Sequence, residues 1–142
     1  MDLDRFKHYM IGIDAADAEH LVLLDQIGTI LDHMEIEDAY QSVDKSIQLW
    51  RDHAVAEEKF MEAIKYPYFK AHVAEHAIRI NMLEGMRDRI QHEMEYKGKR
   101  HFVGDTITIL LTHIDHWDTQ YALYYKQHPE LHNIEWNNNA SD

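Results

Sequence analysis

The sequence predicts an all-α protein, an up-down-up-down antiparallel four-helix bundle with an N-terminal arm and a short polar C-terminal tail. Gly and Pro occur five times and twice in 142 residues, so a fold with many strands would lack its turn residues. The long stretches between them are rich in Leu, Ile, Met, Glu and Gln, which favour helix. The length suits one domain over residues 1–142, with an arm (1–14), a bundle (about 15–127) and a tail (about 128–142).

Apolar residues at helical spacing predict the first two helices. The first is expected from Ala15 to about Met34, with Asp14 as its N-cap. The second is expected from about Ala39 to Lys65, after a turn at residues 35–38. In the first helix, Leu21, Leu24, Ile27 and Leu31 recur at helical spacing. In the second, Val43, Ile47, Trp50, Ala54 and Met61 lie mostly along one side.

Helix-breaking residues place the last two helices. Pro67 fits the first turn of a third helix, expected from about Tyr68 to Tyr96. Gly98 and its basic neighbours suit the end of that helix. The fourth helix is expected from about Val103 to Gln127, and His128-Pro129 ends it. In the Asn-rich tail, Trp136 is a candidate to pack in a groove.

Charge and composition exclude several classes of function. The formal charge is −12, so no basic face is expected for nucleic acid or for an anionic membrane surface. Cysteine is absent, which excludes disulfides, thiol catalysis and cysteine metal sites. The N-terminus lacks the pattern of a signal peptide, and no apolar run reaches the ~20 residues of a membrane helix. A cytoplasmic protein is expected.

Two pairs of residues, His53 with Glu57 and His72 with His76, are candidates for metal ligands. Each pair lies one helical turn apart, so its side chains share a face. The two helices are joined by a short turn and should run antiparallel, which brings both pairs toward a common space. Imidazole with carboxylate suits zinc or iron. One such pair is weak evidence by itself, because 12 histidines give roughly one His-x3-His pair by chance.

The whole set of polar residues on the predicted inner faces is more informative. The first helix adds His20, and the fourth adds His113, with Asp115, His116 and Asp118 close behind. Five histidines with two or three carboxylates exceed one tetrahedral zinc, so a dinuclear site fits better. The repeated Glu-x-x-His motif of ferritin-like di-iron bundles and the His-Glu-x-x-His motif of zinc proteases are both absent.

In order along the chain, His20, His53-x3-Glu57, His72-x3-His76 and His113-x4-Asp118 resemble the hemerythrins. The flanking residues agree over about residues 9–125, as in single-domain bacterial-type members. The resemblance implies two iron ions with a bridging oxo or hydroxo group. His72, His76 and His113 would bind one iron and His20 and His53 the other. Glu57 and Asp118 would bridge them, and the iron with two histidines would keep a position open for dioxygen.

Two details of this pattern lead to further expectations. Five residues place Asp118 roughly 140° around an ideal α-helix from His113, so we predict a wide, π-type turn between them. The resemblance implies an oxygen pocket lined by four apolar side chains, Leu23, Ala54, Leu110 and Ile114. Hemerythrins commonly have Phe at position 54, so Ala54 predicts a roomier pocket, unless neighbours such as Trp50 or Phe60 fill the space.

Reversible dioxygen binding for storage, transport or scavenging is the leading functional hypothesis, and the protein is expected to be a monomer. A peroxide- or nitric-oxide-handling enzyme and an oxygen or redox sensor would use the same site. A zinc-loaded or metal-free structural bundle is the remaining alternative, and metal analysis separates it from the others.

Overall fold

The computed structural model describes residues 3–33, 36–90 and 96–136, and all regular structure in these ranges is helical. The all-α prediction is therefore confirmed for this part of the chain. The α-helices are α1 (Asp14–Thr29), α2 (Ile36–Ala63), α3 (Phe69–Ile90), α4 (Tyr96–His113) and α5 (Thr119–Gln127). One turn of π-helix, Ile114–Asp118, joins α4 to α5. Short 3-10 helices cover Leu3–Tyr9, Ile30–Asp32 and Pro129–Leu131.

The four longest helices contact one another in pairs. Helix α2 packs against α1 and α3, while α4 packs against the same two neighbours. The largest fully buried side chains include Trp50, Tyr121 and Phe102. A four-helix bundle requires contacts of this kind, but the up-down-up-down arrangement stays a prediction. None of the helices in the described ranges is long and apolar enough to cross a membrane.

The start of α1 differs from the prediction that Asp14 is its N-cap. Asp14 is the first helical residue, and Ile13 at the cap position makes no side-chain capping bond. The carboxylate of Asp17 instead accepts hydrogen bonds from the backbone N–H groups of Ile11 and Gly12, at 2.8 and 3.1 Å. Gly12 has a φ of +86°, which a residue with a side chain would adopt only with strain. Asp17 therefore ties the arm to the first turn of α1.

The turn between α2 and α3 is closed by its own backbone. Tyr66 N–H donates to Met61 O at 3.0 Å, and Lys65 N–H donates to Glu62 O at 3.1 Å. This pair of bonds is a Schellman motif, in which Lys65 takes the left-handed position with φ +55°. Pro67 follows directly, and α3 begins at Phe69 rather than in the turn that contains Pro67. The short turn fixes how the two helices that carry most candidate ligands meet.

Helix α4 begins earlier than predicted. Gly98 and its basic neighbours belong to the first turns of α4, where they were expected to end α3. The Lys99 ammonium is buried and donates to the carbonyl of His33, directly after the 3-10 helix Ile30–Asp32, so this lysine packs inward instead of ending α3. The third helix was predicted to run to about Tyr96, but Tyr96 already belongs to α4, and residues 91–95 lie outside the described residues. The predicted turn at 35–38 is wrong for residues 36–38, which belong to α2, and residue 35 lies outside the described residues.

The segment after α5 folds back onto the core. Its side chains Leu131, Ile134 and Trp136 pack against buried apolar residues. Trp136 therefore packs on the core, as expected for a side chain in the tail that finds an apolar surface. Residues 129–136, here named the C-terminal strap, are the part of the predicted tail that the structure describes beyond His128.

Candidate metal centre

All seven side chains that the sequence singled out as metal ligands are buried, and they lie together. Their ligand atoms form two overlapping groups, in each of which the atoms lie within 4.8 Å of one another. The three-histidine group contains His72, His76, His113, Glu57 and Asp118. The two-histidine group contains His20, His53, Glu57 and Asp118. Each group of buried imidazoles and carboxylates could hold a metal ion.

The carboxylate of Glu57 lies between the two groups. Its Oε1 is 2.8 Å from His76 Nε2 and 3.0 Å from His72 Nε2, both in the three-histidine group. Its Oε2 is 3.2 Å from His53 Nε2 and 4.0 Å from His20 Nε2, in the two-histidine group. One oxygen atom of Glu57 therefore faces each group.

Asp118 repeats this arrangement from another helix. Its Oδ1 lies 3.1 Å from His72 Nε2 and 3.0 Å from His113 Nε2. Its Oδ2 lies 3.1 Å from His20 Nε2. Two carboxylates that each present one oxygen to either group are suited to bridging two neighbouring metal ions.

The π-helical turn explains how Asp118 reaches the site. The N–H of Thr119 donates to the carbonyl of Ile114, five residues earlier, instead of four. The wider turn rotates Asp118 back toward the face that carries His113, and both side chains are buried. The predicted π-type distortion is confirmed, whereas Asp115 and His116 are exposed.

Several of the converging atoms are buried without a hydrogen-bond partner among the described residues. They include Nε2 of His20, Nε2 of His53 and both carboxylate oxygens of Asp118. Unpaired buried polar atoms are costly, and native proteins normally satisfy them. Buried nitrogen and oxygen atoms that converge without forming hydrogen bonds fit a site that binds metal ions.

Outer carboxylates contact the far side of several imidazole rings. His53 Nδ1 donates to Glu19 at 2.9 Å, and His76 Nδ1 donates to Glu58 at 2.7 Å. Glu75 lies 3.9 Å from His113 Nδ1. These contacts leave Nε2 of His53 and of His76 as the atoms that face the centre, because each Nδ1 carries the proton. The sequence prediction missed the role of these glutamates, although Glu19 and Glu58 directly adjoin His20 and Glu57 in the chain.

Tyr121 contacts the centre from α5. Its hydroxyl donates to Glu57 Oε2 at 2.9 Å, and its side chain is fully buried. Burial and the nearby negative charge of Glu57 raise the pKa of the Tyr121 hydroxyl well above its usual value, so the group stays a donor.

Without metal, the buried groups hold one another in charged forms. Burial acts to lower the pKa of His53, but the hydrogen bond to Glu19 and the nearby negative charge of Glu57 outweigh it and raise that pKa to about 10. Burial likewise opposes the charge of His113, while Asp118 and Glu57 raise its pKa to about 9. Burial would raise the pKa of Glu57, but hydrogen bonds from surrounding imidazoles hold it well below its usual value. The metal-free centre is thus a cluster of paired charges whose protons a metal ion must displace.

The four side chains of the predicted oxygen pocket, Leu23, Ala54, Leu110 and Ile114, are all at most 2 % exposed. Leu23 also lines an open groove of about 510 Å³ between α1 and α2, next to His53. Trp50 is buried in the core, with its ring centroid 6.5 Å from that of His113. A single cavity lined by all four pocket residues stays a prediction.

The other described histidines lie outside the centre. His8, His101, His116 and His132 are exposed, and His33 and His128 are half-buried. Their expected surface position is confirmed for the first four, and His92 lies outside the described residues. Comparison of the chain with models of protein families, with curated proteins and with solved structures finds no match, so the interpretation of the centre depends on its own residues and geometry.

Proposed function

We propose that this protein binds dioxygen reversibly at a non-haem di-iron centre, as its resemblance to the hemerythrins implies. The observation that carries the proposal is the placement of Glu57 and Asp118, each of which directs one oxygen atom to either group of histidines. A mononuclear zinc site would not need two carboxylates shared in this way.

The unequal number of imidazoles gives the two metal positions different tasks. His72, His76 and His113 would hold one iron, and His20 and His53 the other. Glu57 and Asp118 would bridge the two ions, together with an oxo or hydroxo group. The ion with two histidines would retain an open position for dioxygen. An iron pair supplies the two electrons needed to bind dioxygen in reduced form and to release it again.

The protein around the centre favours reversible binding. The ligands are buried, and so are the apolar side chains Leu23, Leu110 and Ile114. Neutral imidazoles and only two carboxylates leave part of the metal charge uncompensated, and a dry pocket tolerates little change in net charge. Such a site would favour release of neutral dioxygen over release of a charged, reduced form of oxygen, because only the second changes the net charge of the site.

A second candidate is an enzyme that reduces peroxide or nitric oxide at the same centre. The groove between α1 and α2 favours it, because His53 and Leu23 line this open surface next to the two-histidine group. Solvent and small molecules would reach that side more readily than in a closed oxygen carrier. In either case we propose a monomer in the cytoplasm, with no nucleic acid or membrane partner.

An anaerobic optical titration separates these functions. The protein is loaded with ferrous iron, exposed to measured amounts of dioxygen and then purged with argon. A charge-transfer band that appears with dioxygen and vanishes on purging, through repeated cycles, supports reversible binding. Irreversible oxidation, with rapid turnover of peroxide or nitric oxide, would favour the enzyme. Two zinc ions per chain with no stable iron form would refute both candidates.

A further inference from the structure

The C-terminal strap is fastened to α5 by its own hydrogen bonds. The hydroxyl of Tyr125 donates to the carbonyl of Ile134 at 3.1 Å, and His132 Nε2 donates to the carbonyl of Tyr125 at 2.8 Å. The N–H of Ile134 donates to Leu131 O at 2.9 Å, which closes a turn within the strap. These bonds fix the place at which Trp136 meets the helices.

Trp136 contacts the two-histidine group in two ways. Its indole N–H donates to Glu19 Oε2 at 2.8 Å, while the other oxygen of Glu19 accepts from His53 Nδ1 at 2.9 Å. The indole ring also stacks on the His53 imidazole, with ring centroids 6.0 Å apart and planes at 24°. Phe60 supports the indole from another side, at 5.3 Å between centroids. Trp136 thus restrains both the ring of His53 and the carboxylate that orients it.

The three-histidine group is supported differently. Its outer carboxylates, Glu58 and Glu75, belong to α2 and α3, the helices that also carry Glu57, His72 and His76. Nδ1 of His20, like Nδ1 of His72 and of His113, has no hydrogen-bond partner among the described residues. The difference lies in Glu19, which accepts a hydrogen bond from Trp136, a residue 117 positions away in the chain.

We propose that Trp136 is a positioning residue for His53, acting through Glu19 and through ring stacking, so that the strap selectively retains the metal ion of the two-histidine group. The proposal rests on the proposed metal centre, but it does not require that the centre bind dioxygen. Loss of contacts that orient a metal-binding histidine typically costs 10–100-fold in metal affinity. Because Trp136 lies one contact further from the metal ion than Glu19 does, we expect its loss to lower metal affinity by about 10-fold.

The test is the rate at which zinc, a redox-inert probe, leaves the loaded full-length protein for an excess of a chromogenic chelator. In Trp136→Phe, which keeps an aromatic ring but loses the indole N–H, one zinc ion per chain should leave about 10-fold faster. The other zinc ion should leave at the wild-type rate. Glu19→Gln should accelerate the same ion, and circular dichroism confirms that both variants are folded.

Trp117→Phe is the matched control, because its ring lies 5.6 Å from that of His72, in the three-histidine group. This variant should not accelerate the ion that responds to Trp136→Phe. In a His20→Ala background, which removes a ligand of the two-histidine group, Trp136→Phe should no longer change release of the remaining ion. Equal acceleration of both ions, no acceleration, or an undiminished effect in the His20→Ala background would overturn the proposal.

The zinc readout separates this proposal from the proposed function. A protein that binds two zinc ions but never binds dioxygen would refute the oxygen-binding function, while the release rates still decide the role of Trp136. A protein that binds no metal would overturn both.

Discussion

Replacing Tyr121 with Phe removes a single hydroxyl group from the edge of the candidate metal centre. That hydroxyl donates to Glu57 Oε2 at 2.9 Å, and both residues are fully buried. A hydrogen bond to a charged acceptor contributes about 1.5–3 kcal/mol. The ring contacts with Phe60 and Tyr66 remain, so the metal-free variant should lose about that much stability. For a domain of this size, the melting temperature should fall by roughly 3–12 °C.

Urea unfolding of the metal-free protein measures this loss, with Tyr124→Phe as the control. Tyr124 lies on the same helix, but its hydroxyl donates to the neutral carbonyl of Lys65 at 3.4 Å in an exposed position. That variant should change stability by less than about 0.5 kcal/mol. Loaded with metal, Tyr121→Phe should recover part of its loss, because the metal then balances the charge of Glu57. Equal costs for the two substitutions would refute the charge-assisted role of Tyr121.

Four further predictions follow from the centre. Glu57→Gln should weaken metal binding at both positions in equilibrium dialysis, since Glu57 belongs to both groups. Glu58→Gln should weaken binding at one position only, by about 10–100-fold. One position left at full affinity in Glu57→Gln would contradict the bridging role. Metal affinity should rise with pH up to 9–10, about tenfold per pH unit for each proton displaced, because the pKa values of His53 and His113 are raised to about 10 and about 9. In their protonated forms, His53 and His113 should also add to the free energy of unfolding of the metal-free protein. This contribution should be fully present below about pH 6.5 and should be lost as the pH rises through 9–10. A free energy of unfolding that does not change over this pH range would argue against it. Ala54→Phe should lengthen the life of the dioxygen-loaded protein by closing space near the centre, and an unchanged lifetime in stopped-flow decay would count against the roomier pocket.

The features predictable from the sequence are those that helical periodicity controls. Spacing of four residues places His53 with Glu57, and His72 with His76, wherever both segments are helical. The awkward spacing from His113 to Asp118 was informative too, because burial of both side chains required a wider turn. The structure shows that turn as a π-helix.

The features that could not be predicted depend on contacts between distant parts of the chain. Nothing in local periodicity links Trp136 to Glu19, because the strap has no repeating pattern and its course is set by packing on α5. The early start of α4 was missed for a related reason. Gly98 and its basic neighbours suit a helix end, yet burial of Lys99 against the carbonyl of His33 keeps them within a helix.

Counting ferrous iron bound per chain under strictly anaerobic conditions tests the central claim most directly. We predict two iron ions per wild-type chain and a single ion in His20→Ala, because His20 belongs to the two-histidine group alone. One ion per wild-type chain, or two ions retained at full affinity in His20→Ala, would contradict a dinuclear centre built from these seven residues.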